Sequence, residues 1–150
     1  MYRLGAWRGG VQEYTGLKAV YFNSNAISRI EGLGTCVNLR CLYLEQNLLD
    51  EIEGLEHNAE LHTLDVAGNQ IGALSNMAHL QALRTLNLTG NRLQSAADVA
   101  ELAQLPLLQV RGMESPSQGV LGLNALGARA SRYTSLGVLS AGMLWSVGPC

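Results

Sequence analysis

In the stretch LRCLYLEQNLLDEI, residues 39 to 52, apolar side chains alternate with polar ones as far as Leu44, then reappear at a wider spacing at Leu49 and Ile52. Alternation is the period of a strand with one buried face, whereas steps of three place residues on one side of a short helix or 3-10 turn. The chain therefore turns a corner at Asn47. The same succession stands 22 residues away on either side, because Asn25, Asn47, Asn69 and Asn91 recur at that interval, as do Leu17, Leu39, Leu61 and Leu83. Laid on one another, the units read LKAVYFNSN, LRCLYLEQN, LHTLDVAGN and LRTLNLTGN, four versions of L-x-x-L-x-L-x-x-N.

The pattern assigns a place to each position. Val20 and Phe22, Leu42 and Leu44, Leu64 and Val66, and Leu86 and Leu88 point inward from the strands, and their neighbours face solvent. One unit of this size cannot bury its apolar face, but parallel stacking of several gives a continuous core and a curved solenoid. Each repeated Asn sits where the chain leaves the strand, so a buried amide there satisfies backbone groups that the turn leaves unpaired. The four are expected to form a structural ladder. After each Asn the inward positions are Ile27, Ile30, Leu33; Leu49, Ile52, Leu55; Ile71, Leu74, Met77; and Leu93, Ala96, Val99, the spacing of a short helical or 3-10 return segment. The fourth unit is irregular: the next opening leucine is Leu108, 25 residues after Leu83, and the small Ala96 predicts a looser contact.

Counting from Leu108 places core residues near 111 and 113 and an Asn near 116, where Arg111, Met113 and Pro116 stand instead. The repeat pattern therefore stops at Val110. Three regions follow: an irregular segment at 1–12, the repeat domain at 13–110 with four full units and the start of a fifth, and a Gly/Ser-rich irregular tail at 111–150. Residues 1–12 are too few to form the polar cap that a first open rung needs, and both ends read as edges of a fragment. Val11 and Gln12 can be encoded by a sequence ending as splice acceptors do, and Val110 and Arg111 by one beginning as donors do. Translated non-coding sequence at both junctions is the corresponding expectation, and transcripts reading straight through would dispose of it.

Composition narrows the function more than it names it. With 150 residues, 47% hydrophobic and 15% charged, the chain is long enough for one domain with a real core, and its net charge of −2 gives no reason to expect direct nucleic-acid or membrane-surface binding. The three cysteines, Cys36, Cys41 and Cys150, match neither a metal knuckle nor a disulfide framework, which points to a reducing compartment. No signal peptide is seen in MYRLGAWRGG, and Leu136 to Val147 is too short and interrupted for a membrane span.

Phosphate-binding, dinucleotide-binding and zinc-protease motifs are missing. His57 and His79, one repeat apart, lack the further ligands a metal shell needs. Cys41 and His62 stand on adjacent rungs with nothing to orient them as nucleophile and base. A non-catalytic monomer without cofactor is expected, and the solvent side of the strands becomes the candidate site. The second position of each unit holds Lys18, Arg40, His62 and Arg84; the fifth holds Tyr21, Tyr43, Asp65 and Asn87; Glu45 follows in the second unit. A basic line beside two tyrosines suits an acidic protein segment, with Tyr21 and Tyr43 as anchors.

The 22-residue units, with ISRIEGL and LDEIEGL as their tails, resemble the short-repeat leucine-rich class. That class includes a regulatory subunit of protein phosphatase 1, an axonemal dynein light chain and a spliceosomal A-prime protein. Within it, EYTGLKAVYFNSNAISRIEGL followed by CVNLRCLYLEQNLLDEIEGLE looks most like the dynein axonemal assembly factors, over about residues 13–110. The resemblance implies an α/β fold, a leucine-rich repeat solenoid with a concave parallel β-sheet and short helical or 3-10 returns. It also implies a cytoplasmic scaffold, associated with building the cilium or axoneme, whose partners are dynein heavy chains or assembly chaperones. A phosphatase-regulating subunit and a spliceosomal adaptor are the alternatives.

Overall fold

Five short strands lie side by side in one parallel sheet: β1 (Ala19–Tyr21), β2 (Cys41–Tyr43), β3 (Thr63–Asp65), β4 (Thr85–Asn87) and β5 (Gln109–Arg111), in the order β1-β2-β3-β4-β5. The structure, a computed structural model, describes residues 15–95 and 97–112 together with the strands β6 (Glu114–Ser115) and β7 (Gly119–Val120), which pair antiparallel as a second sheet. Register follows the repeat, since Val20 pairs with Leu42, Leu42 with Leu64 and Leu64 with Leu86. Successive strands in chain order are also neighbours in space, as a solenoid requires.

The inward-pointing series forms one cluster. Leu42, Leu44, Leu64, Val66, Leu86 and Leu88 are buried from the strand side and Leu49, Ile52, Leu55, Ile71, Leu74 and Met77 from the return side. Full burial of such a side chain contributes about 1.5–3 kcal/mol, so the stacked leucines are the main stabilising term. Phe22, on the first rung, is only partly buried, while its neighbour Val20 is buried. Three residues before each following opening leucine (Leu39, Leu61, Leu83 and Leu108) lies a further buried column that the repeat motif does not include: Cys36, Asn58, Leu80 and Leu105. Asn58 is wholly buried there and donates to the carbonyls of Leu33 (3.2 Å) and Cys36 (2.8 Å) on the preceding rung.

The return segments divide into two kinds. In the first three units they hold isolated i to i−3 turns, with N–H groups of Cys36, Leu39, Asn58, Leu61, Leu80 and Leu83 donating to Leu33, Cys36, Leu55, Asn58, Met77 and Leu80. Between those turns and the Asn corner, backbone groups bond across rungs, as in Leu48 N–H to the Ile27 carbonyl (2.8 Å) and Gln70 N–H to Leu49 (2.8 Å). A backbone already satisfied by its neighbour has no need of a helix. Among the described residues, only the longer fourth unit winds into a 3-10 helix, Ala97–Gln104, burying Val99 and Leu102. Ala96 lies outside the described residues.

Two columns of positive φ mark the corners. Ser24, Gln46, Gly68 and Gly90 stand immediately before the repeated Asn residues, and Gly32, Gly54 and Asn76 occupy the second corner. At Gly54 a side chain is excluded outright, because a Cβ would strike the Ile30 carbonyl.

The fifth rung corrects the count from Leu108. β5 sets Gln109 opposite Thr85, Val110 opposite Leu86 and Arg111 opposite Asn87, so the inward residue is Val110 rather than 111. Leu83 and Leu86 are separated by two residues, but Leu108 and Val110 by one, and both Leu108 and Val110 are buried. One residue has been lost at the entry to the strand, which shifts every later position by one. The strand itself persists through Arg111.

Candidate protein-interaction face

The concave face is built by strand alternation: with Leu42 inward, Cys41 and Tyr43 share the outer side, and the same holds on every rung. The fifth-position column runs Tyr21, Tyr43, Asp65, Asn87, Arg111 by strand register. Tyr21 and Tyr43 stack with ring centroids 4.7 Å apart and planes within 2°. They are not equivalent. Tyr21 is 65% exposed whereas Tyr43 is only 6% exposed, so of the two expected anchors Tyr21 is the accessible ring and Tyr43 is the floor beneath it.

Lys18, Arg40, His62 and Arg84 sit one residue before the strands, at the edge of the sheet. Each carbonyl of this column accepts from the next rung, and those of Lys18, Arg40 and His62 take two N–H groups, for example Arg40 N–H (2.8 Å) and Cys41 N–H (3.0 Å) on Lys18. Their backbones are thereby fixed, while the side chains of Lys18, Arg40 and Arg84 are exposed and His62 is half-buried.

The opposite margin is polar and anionic. Asn87 Nδ2 donates to Asp65 Oδ2 (2.9 Å), Ala67 N–H donates to Asp65 Oδ1 (3.1 Å), and Thr89 Oγ1 donates to Asn87 Oδ1 (2.8 Å). Glu45 is partly buried, and burial, aided by the Asp65 charge, pushes its carboxyl above the usual range. Burial likewise raises the Tyr43 hydroxyl, with Tyr21, Asp65 and Glu45 adding to the effect.

The ladder residues have another role. Asn47 Nδ2 donates to the carbonyls of Leu44 (2.9 Å) and Phe22 (2.9 Å), and its Oδ1 accepts from Ile27 N–H (3.1 Å). Asn69 repeats this with Val66 (2.8 Å), Leu44 (3.0 Å) and Leu49 N–H (3.0 Å), and Asn91 with Leu88 (3.0 Å), Val66 (2.9 Å) and Ile71 N–H (3.0 Å). Asn25 is exposed and makes the bonds to its own rung, to Phe22 (3.0 Å) and Asn23 (3.0 Å). Three rungs thus carry the complete motif, and the first carries half of it.

Sequence reasoning missed part of the face. Thr63, Thr85 and Gln109 share the outer side with the fifth-position column, and Arg111 ends that column. Alternation alone would have found the threonines; Arg111 required the shifted register. Of the two histidines that stand one repeat apart, His57 is exposed and lies against Gly34, and a ring nitrogen of His79 is engaged with the Leu55 carbonyl (2.9 Å). Among the described residues no three His, Cys, Asp or Glu side chains are grouped to hold a metal ion. No helix among them is long and apolar enough to cross a membrane.

Residues 15–57 match the family described as Leucine Rich repeats (2 copies). No curated protein matches the chain. Among solved structures, an internalin from Listeria monocytogenes superposes with a TM-score of 0.70 at 23% identity, covering 87% of this chain and 37% of the internalin. The SNF/U2A' complex from Drosophila melanogaster gives 0.61 at 23% identity, with 74% of this chain and 68% of that one. The leucine-rich repeat protein FLRT2, from an octameric complex with Latrophilin 3 and Unc5D, gives 0.64 at 23%, with 79% and 40%. The chain spans little more than a third of the internalin. At this identity the likeness establishes the fold: a leucine-rich repeat solenoid with a five-stranded parallel sheet.

Proposed function

We propose that this chain is a non-catalytic adaptor whose concave face holds an extended acidic segment of a protein partner, and that it serves the cytoplasmic assembly of axonemal dynein arms. The observation that carries the first part is the exposed cationic edge, Lys18, Arg40 and Arg84, beside the 65% exposed ring of Tyr21. Arginine and tyrosine are over-represented among residues that dominate binding energy. Leucine-rich repeat folds generally act as protein-interaction scaffolds, which agrees with it. The second part is supported by the resemblance of EYTGLKAVYFNSNAISRIEGL and CVNLRCLYLEQNLLDEIEGLE to dynein axonemal assembly factors.

The test is affinity capture from ciliated cells with the wild-type chain and with Arg40→Glu. Dynein heavy chains with chaperones, lost on charge reversal, are the expected result. Recovery of small nuclear ribonucleoproteins would favour a spliceosomal adaptor, a reading supported by the SNF/U2A' complex, of which this chain spans 68%. Recovery of a phosphatase would replace both.

A further inference from the structure

β1 is the end strand of its sheet, and among the described residues no strand pairs with its other side. The bonds between existing rungs define what that side offers. On the second rung the N–H groups of Arg40 (2.8 Å) and Cys41 (3.0 Å) donate to the Lys18 carbonyl, while the carbonyls of Tyr43 and Glu45 accept from the N–H groups of Phe22 (2.8 Å) and Ser24 (2.8 Å). By register the same places on the first rung are held by the N–H groups of Lys18 and Ala19 and the carbonyls of Tyr21 and Asn23. These face away from β2, and among the described residues none of them is bonded to another rung. Lys18, Tyr21 and Asn23 are exposed, so the edge is open to solvent.

Two side-chain columns stop at the same edge. Asn47, Asn69 and Asn91 each donate to a carbonyl of the preceding rung and accept an N–H from it, whereas Asn25 bonds to its own rung. Its exposed amide stands where the ladder would meet one more carbonyl and one more N–H. The Tyr21 ring lies against Tyr43 on one face, with centroids 4.7 Å apart and planes within 2°, and at 65% exposure its other face is open to a further ring. On the inner side Leu17 and Phe22 are only partly buried. A row of unpaired N–H and C=O groups is a template for another strand.

We propose that the outer edge of β1 takes an extended segment of a protein partner as an added strand, parallel to β1, with an aromatic residue between two aliphatic ones. The parallel direction brings one carbonyl to the N–H groups of Lys18 and Ala19 and two N–H groups to the carbonyls of Tyr21 and Asn23, as between the existing rungs, and it lets Asn25 complete its ladder bonds. Main-chain bonds of this kind supply affinity, and side chains supply specificity. The aromatic residue stacks on the open face of Tyr21. Its aliphatic neighbours turn to the other side and cover Val20 and Phe22, because successive residues of a strand alternate. The site shares Tyr21 with the concave face but depends on main-chain groups rather than on the cationic line, so either can hold without the other.

The experiment uses the full chain and a dye-labelled synthetic peptide with the sequence of residues 39–47, LRCLYLEQN, carrying Cys41→Thr, with binding read by fluorescence polarisation. Its Leu-Tyr-Leu supplies the required order. In the added-strand register the N–H at the place of Leu44 points to the Tyr21 carbonyl and the one at the place of residue 41 points away, as the existing rungs show. N-methylation at the first place is expected to weaken binding at least about 10-fold, and at the second less than about 2-fold. Replacing the peptide's tyrosine with alanine is expected to weaken binding to the wild-type chain about 5-fold and to Tyr21→Ala less than about 2-fold. Circular dichroism and thermal melting establish that the variant is folded. No binding, equal losses from the two N-methylations, or an alanine effect that is the same with both proteins would overturn the added strand. Sedimentation as a dimer that the peptide dissociates would give the edge to a second copy and overturn the partner segment. Arg40→Glu is expected to leave peptide affinity within about 2-fold, since only exposed charge is altered, so each of these failures leaves the concave-face reading to its own test.

Discussion

At the scale of single residues, identical letters have unequal weight because their surroundings differ. Asn47 bonds to two rungs and is buried, whereas Asn25 is exposed and bonds to its own rung. Asn47→Leu is expected to lower stability by about 3 kcal/mol and Asn25→Leu by less than about 1 kcal/mol, because only the first strands buried backbone groups. Urea unfolding of the two variants checks this, and equal losses would refute the ladder's energetic role. Glu45 runs the other way. Its carboxyl is raised from 4.5, chiefly by burial, so ionisation costs stability in the folded state. That cost is absent at low pH and grows as pH rises past 4.5. Glu45→Gln should therefore stabilise the free chain at neutral pH, with the gain vanishing in acid, as read from melting temperatures across the range.

At the scale of elements, the corners are decided by backbone geometry and the fourth return by a cap. Gly54→Ala must move the Ile30 carbonyl while holding a positive φ of 69°, and a loss of about 2–4 kcal/mol is expected. Gln46→Gly removes the left-handed penalty at φ 56° and should gain up to about 1 kcal/mol. Chemical unfolding curves of both variants test the opposite signs. Ser95 and Asp98 form the start of the 3-10 helix as a reciprocal pair: Asp98 Oδ2 accepts from Ser95 N–H (2.7 Å) and Gln94 N–H (2.8 Å), while Asp98 N–H donates to the Ser95 carbonyl (3.2 Å). The bond from Gln94, followed by that from Ser95, holds the Asp98 carboxyl below its usual 3.8. Its stabilising contribution is complete above 3.8 and is lost as pH falls below that value. Asp98→Asn should therefore make stability less dependent on pH between about 5 and 2, measurable by urea titration at fixed pH values.

At the scale of the whole molecule, parallel stacking turns one-dimensional repeats into charged lines across a concave surface. Arg40→Glu with Tyr21→Ala is expected to weaken partner binding about 100-fold or more, since both are accessible and lie where interface energy concentrates. Its melting temperature should stay within about 2 °C of the wild type, because exposed substitutions rarely alter stability by more than about 0.5 kcal/mol. Tyr43→Ala is a poorer probe. Its ring is 6% exposed and supports Tyr21, so its loss would confound folding with binding. Binding that remained unchanged in the double variant would move the site off the concave face.

The 22-residue interval and its alternating leucines were enough to establish the strands, their order, the inward residues of the first four rungs and the asparagines' bonds to their own turns, because those features depend on periodicity and burial that each unit states locally. The tertiary structure decided what local periodicity cannot express. Whether Asn25 spans two rungs depends on a neighbour, the register of β5 depends on a residue lost before Val110, and a return segment needs no helix when the adjoining rung accepts its N–H groups. Tyr21 and Tyr43 occupy the same place in the repeat, yet one is accessible and the other buried. Such differences arise from contacts between rungs, and a period read along the chain carries no record of them.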